Sequence, residues 1–169
     1  MTQQHPAEIT IADLSELVRG SFPAEPRPRT FWKDGAEQPA GDVPAELANR
    51  LAQRRWVDVT LRDWQMIGPP PSVSSYLHPD AFRYYLPSLL IGVLQDIRYL
   101  DWALELLLPA GRKRRTDRPD WVTFREGFSE AQRDTIRSYL TGLRAMLGEA
   151  AGPVEQHLFD ELDAVWGRR

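Results

Sequence analysis

A chain of 169 residues with 42% hydrophobic and 27% charged residues is long enough for one domain with a substantial core, and its net charge of −3 supplies no global field for nucleic acid or an anionic membrane. Cysteine is absent, which excludes disulfides, thiolate zinc sites and thiol catalysis. The N-terminal MTQQHPAEITIADL lacks the basic and apolar regions of a secretion signal, and Asp96, Arg98, Asp101 and Glu105 interrupt the most apolar run, so a cytoplasmic protein without a membrane span is expected.

Thr10 and Asp13 form a capping-box pattern ahead of Ile11, Leu14, Leu17 and Val18, which predicts a short first helix stopped by Gly20. The stretch 23–41, with Pro23, Pro26, Pro28, Gly35, Pro39 and Gly41, reads as an irregular connection pinned to the core by Phe31 and Trp32. A second helix opens at Pro44, carries Leu47, Ala48 and Leu51 on one face, and ends near Arg54 and Arg55. An extended link through Trp56, Val57 and Val59 leads to Thr60 and Asp63, a second capping box, whose helix GPPPS at 68–72 must end.

The dominant signal follows. Pro79 and Asp80 open a segment in which Phe82, Leu86, Leu90, Val93, Ile97, Leu100, Leu104 and Leu108 recur at three- and four-residue steps. Tyr84, Ile91 and Trp102 project to the opposite side, which makes this helix central. Pro87 cannot donate to residue 83, so a kink or break is expected between Arg83 and Ser88. Residues 112–120 form a charged connector after Pro109 and Gly111. Ser129 with Gln132 then caps a helix carrying Ile136, Leu140, Leu143 and Leu147, and Pro153 opens a last helix ending at Trp166.

The block Pro79-Asp80-Ala81-Phe82-Arg83-Tyr84-Tyr85-Leu86-Pro87, preceded by Tyr76 and Leu77, resembles the signature of a family of small uncharacterised bacterial proteins. Trp56 and the stretch FSEAQRDTIRSYL at 128–140 are similar to further features of that family. His78 departs from its usual threonine or serine at the N-cap. The resemblance implies the helical architecture and supplies no mechanism; partner binding, of an adaptor or immunity-protein kind, is what it suggests.

Arg83, Tyr84 and Tyr85 fall within one turn beside Pro87 and could present a recognition pocket for a carboxylate or a peptide. Against this stands packing of both tyrosines in the core with Arg83 paired to an acid such as Asp80, which is favoured. Asp96 lies on the flank of the apolar stripe, where it must pair with a cation, reach solvent or serve a ligand. His157 and Glu161 are only two potential metal ligands, and His5 or His78 would join them by chance of folding.

The segment from Arg112 to Arg118 has five basic residues and one acid, and the stretch 149–163 carries Glu149, Glu155, Asp160, Glu161 and Asp163 with no base. A solvated loop is the base expectation, pairing of the two segments within the molecule or across a dimer comes next, and phosphate contact is last. No serine lies in a nucleophile elbow, and no glycine-rich nucleotide loop is present.

The expectation is an all-α, single-domain helical bundle of five to seven helices around a central proline-kinked helix from Pro79 to Leu108, folded over 10–166 with residues 1–9 flexible. Its function is expected to be that of a non-enzymatic interaction module without cofactor or metal, binding another protein or a second copy through Tyr84, Tyr85, Arg112, Arg114 and Arg115. The rival is a small-ligand binder or enzyme with a pocket beside Asp96 and Arg83.

Overall fold

The computed structural model describes residues 8–35 and 37–167, so His5 and the flexibility expected of residues 1–7 lie outside the described residues. Among the described residues there are nine α-helices and no strand; Trp32 makes isolated bridges to Gly35 and Leu77. No helix is long and apolar enough to cross a membrane.

The first helix, α1 (Ile11–Ser21), opens on the expected box: the Thr10 amide donates to Asp13 Oδ2 at 2.8 Å and the Asp13 amide to Thr10 Oγ1 at 3.2 Å. It passes through Gly20, because a glycine weakens a helix without forcing an end. A second helix, α2 (Asp42–Leu47), continues into a π-helical turn, Ala48–Ala52. Next come α3 (Leu61–Ile67) and a single turn, α4 (Pro70–Val73), formed by prolines that were expected only to terminate. Pro70 stands at a first helical position, where its missing N–H costs nothing.

The central helix, α5 (Pro79–Gln95), runs through Pro87, and the chain breaks instead at Asp96 (φ −145°, ψ 95°). A break between Arg83 and Ser88 is therefore excluded, and the single helical segment expected from Pro79 to Leu108 is divided at Asp96. One lost hydrogen bond and a ring clash cost about 3 kcal/mol at Pro87. Leu86, Leu89, Leu90 and Val93 are all fully buried around it, and each such side chain contributes about 1.5–3 kcal/mol. At Asp96 the carboxylate accepts from the Arg98 amide at 3.2 Å and so caps a new 3₁₀ turn, Ile97–Tyr99, that leads into α6 (Leu100–Leu106).

The last three helices are α7 (Pro119–Glu126), α8 (Glu130–Leu147) and α9 (Pro153–Trp166). The Ser129–Gln132 box is formed reciprocally, at 3.0 and 3.1 Å. The charged connector is shorter than expected, because Pro119 and Asp120 open α7 with the same first-turn signal that opens α5.

Helix α5 packs against α1, α3, α6 and α7, which places the core around it. Ser88 ties α3 to it, accepting from Trp64 Nε1 at 2.9 Å and donating to the Tyr85 carbonyl at 2.6 Å. An aromatic chain closes the far side: Phe82 to Phe124 at 5.5 Å, Phe124 to Phe128 at 5.1 Å and Phe128 to Trp166 at 5.9 Å between centroids.

Candidate functional site

Five separate segments meet at one solvent-open cavity of about 110 Å³. Its apolar wall comes from Leu77, Phe82, Leu106, Trp121 and Phe124, and its rim carries Lys33, Arg114 and Arg118 with Glu105 and Asp120. On the scale where one water needs about 10–15 Å³, the space holds several waters or one large side chain.

Local chemistry explains how each wall is held. The Lys33 amide donates to the Tyr76 carbonyl at 2.8 Å and the His78 amide to the Phe31 carbonyl at 2.9 Å, so the 31–33 segment is clipped beside Leu77. His78 Nδ1 accepts from the Asp80 amide at 3.2 Å, an imidazole cap where serine or threonine was the usual choice, and this sets the first turn that carries Phe82. Beyond α6, Gly111 (φ +90°) and Arg114 (φ +43°) turn the connector back over the cavity. Left-handed backbone at a bulky residue is costly, and here tertiary contacts hold it.

Those contacts belong to Arg114 itself. Its guanidinium reaches Glu105 at 2.8 Å, Glu161 at 3.4 Å and the Pro109 carbonyl at 3.2 Å. Its hydrogen bond to the Glu105 carboxylate raises its pKa, with a further contribution from Glu161, against the opposing effect of burial. On the opposite rim, Asp120 sits 2.9 Å from Arg118 and 3.8 Å from Lys33. The indole N–H of Trp121 is buried without a hydrogen-bond partner among the described residues.

The sequence candidates are distributed differently. Tyr85 is buried, its hydroxyl 2.6 Å from the Leu51 carbonyl and 2.9 Å from that of Arg54. Tyr84 is half-buried and donates to the Ala24 carbonyl at 2.7 Å. Both phenols hold loops to the core, and burial raises the pKa of each. Arg83 pairs with Asp80 and donates to the carbonyls of Thr123 at 2.6 Å and Phe124 at 3.1 Å.

Asp96 forms a two-point pair with Arg98, at 2.9 and 2.7 Å, and that guanidinium holds its carboxyl below the usual range. Because Arg83 and Asp96 belong to opposite ends of one helix, they stand about 20 Å apart at the normal helical rise. The two do not converge on one pocket. His157 and Glu161 approach to 3.9 Å, and the described residues contain no group of three His, Asp or Glu that could hold a metal ion.

Within the connector, Arg114 reaches the acidic α9, which is the intramolecular form of the pairing considered from sequence, while Arg115 pairs with Asp117 at 2.8 Å. Arg112 is exposed and has no ion pair among the described residues. Lys33 and Trp121 were missed as site residues by sequence reasoning, and Arg118 was read only as the end of the basic connector. The Pro119-Asp120 helix start was the available signal, since it puts Trp121 and Phe124 on one face three residues apart.

A family model described as "Family of unknown function (DUF6714)" matches residues 13–166, and the chain belongs to that family. No curated protein and no solved structure matches it.

Proposed function

We propose that this member of the family is a protein-interaction module, in keeping with the cytoplasmic bacterial setting expected from its sequence. Its working surface is the cavity between α4, the start of α5, the end of α6 and α7. The observation that carries this reading is the convergence of Leu77, Phe82, Leu106, Trp121 and Phe124 beneath a rim with Lys33, Arg114 and Arg118. The connector beside it adds Arg112, Lys113 and Arg115 against Asp117, so the approach is net positive. An apolar anchor in a small pocket, ringed by charge, is how interfaces concentrate binding energy.

The partner that fits is a protein segment offering one large apolar side chain flanked by aspartate or glutamate. The buried residues of this wall are held by the fold before any partner arrives, so its ordering adds little to the entropy cost of binding. Arg112, Arg114 and Arg115 act here by setting the sign of the rim. Tyr84 and Tyr85 serve by fixing loops.

Selection of displayed peptides on the wild-type protein, with counter-selection on an Ala110→Trp variant whose cavity is filled, tests the reading. Enriched peptides should carry an apolar residue next to acids, and should lose binding to Ala110→Trp while its unfolding temperature is unchanged. Peptides that bind both proteins equally would remove the cavity from the function.

A further inference from the structure

A second cleft, which shares no lining residue with that cavity, lies between the segment 27–35 and the end of the π-helical turn of 48–52. It encloses about 710 Å³ open to solvent, within the range of sites for small molecules and far more than a single inorganic anion fills. Arg27 and Arg29 line it together with Phe31, Gln53 and Tyr85, and none of the described residues lining it is acidic. Neither arginine has a carboxylate within ion-pairing distance among the described residues, whereas Arg50 and Arg54 nearby are both engaged by Asp63.

From these residues we infer that the cleft is a binding site for a phosphate monoester carried on a planar ring, a nucleoside monophosphate being the form that fits. The two guanidiniums sit in the run Pro26-Arg27-Pro28-Arg29, in which each proline fixes its own φ and pushes the preceding residue towards extended backbone. The arginines are thus presented on a stiff segment, and Arg27 is steadied further by donating to the Gln53 carbonyl at 3.0 Å.

One arginine fork saturates a carboxylate. Two separate forks suit a dianion with three acceptor oxygens, which is what a phosphate monoester offers near neutral pH. Phe31 supplies the ring surface: half-buried and edge-on to Trp32 at 4.6 Å and to Tyr85 at 6.2 Å, it is held in place by its neighbours. The Gln53 side chain offers both a donor and an acceptor to the edge of a base. This site is independent of the apolar cavity described above.

Calorimetric titration of the full chain with AMP, adenosine and inorganic phosphate tests the assignment. AMP should bind, adenosine should give no measurable heat, and inorganic phosphate should bind about ten-fold more weakly than AMP. Arg29→Gln changes an exposed side chain that makes no hydrogen bond or ion pair among the described residues, and should weaken AMP about ten-fold without moving the unfolding temperature. Ala110→Trp should leave AMP binding unchanged. The assignment is overturned if AMP gives no binding, if Arg29→Gln binds AMP like the wild type, if adenosine binds as tightly as AMP, or if inorganic phosphate does.

Discussion

A Cβ atom placed on Gly127 would lie 2.0 Å from Cζ of Arg83. The glycine is therefore the seat of a guanidinium that donates to the Thr123 and Phe124 carbonyls, the last turn of α7, and pairs with Asp80 at the first turn of α5. A cation at a helix C-terminus answers both the orphan carbonyls and the dipole. Gly127→Ala should displace Arg83 and lower stability by about 1–3 kcal/mol, since hydrogen bonds from a charged donor are worth about that much. Urea unfolding of a double-mutant cycle checks it: once Arg83→Ala is in place, adding Gly127→Ala should cost almost nothing. Full additivity would mean the glycine acts by another route.

Asp63 is the most deeply buried carboxylate among the described residues, and two arginines surround it, Arg54 at 3.0 Å and Arg50 at 3.3 Å. Burial pushes its pKa up, yet the donors of Thr60 and the Arg54 guanidinium outweigh that, leaving the pKa below the ordinary value. A depressed folded-state pKa stabilises the protein above the unfolded value, near 4, and that contribution disappears as pH falls through the folded one. Asp63→Asn should therefore cost about 1–3 kcal/mol at pH 7 and much less once the pH has fallen through the folded-state pKa. Urea midpoints across that range decide it, and a pH-independent penalty would assign the loss to packing.

Much of this arrangement is legible from local chemistry. The Thr10, Thr60 and Ser129 caps each open the helix they predict, because a side-chain acceptor three residues from its partner is a local property. Pro87 shows where local reasoning stops short: the penalty is real, yet the helix continues through it, and the helices α1, α3, α6 and α7 packed on α5 are invisible along the chain. Asp96 shows the converse. Its place on an apolar flank suggested a site, while its proximity to Arg98 made it the cap that divides α5 from α6. The cavity was the least legible feature, since Lys33, Phe82, Leu106 and Trp121 share no motif and are gathered only by the way α7 folds back on α5.

The buried relay from Trp64 through Ser88 to Tyr85 makes a sharper demand on one small side chain. Ser88→Ala strips the acceptor from the buried Trp64 Nε1, where an unmet donor costs about 1–3 kcal/mol. Ser88→Cys, of similar size with a weak sulfur acceptor, should recover part of that loss. Chemical unfolding of the two variants is the measurement. Equal stability of Ser88→Ala and the wild type would show that the indole gains nothing from the hydroxyl.

Gly111 governs how tightly the connector closes over the cavity. Its φ of +90° is one that side chains rarely adopt, and no atom lies near the space a Cβ would occupy, so an alanine there suffers backbone strain alone. Gly111→Ala should cost about 1 kcal/mol or more and shift the turn that brings Arg114 to Glu105 and Glu161. Loosening that turn exposes a run with Arg112, Lys113, Arg114 and Arg115, all trypsin sites. Limited trypsin digestion under native conditions should then cut the variant between 112 and 115 several-fold faster than the wild type, while cleavage elsewhere keeps pace with global stability. Glu105→Gln, which keeps Gly111 but weakens the hold on Arg114, should move the same cut in the same direction, and unchanged digestion in both would show that the connector owes its position to something other than this arginine.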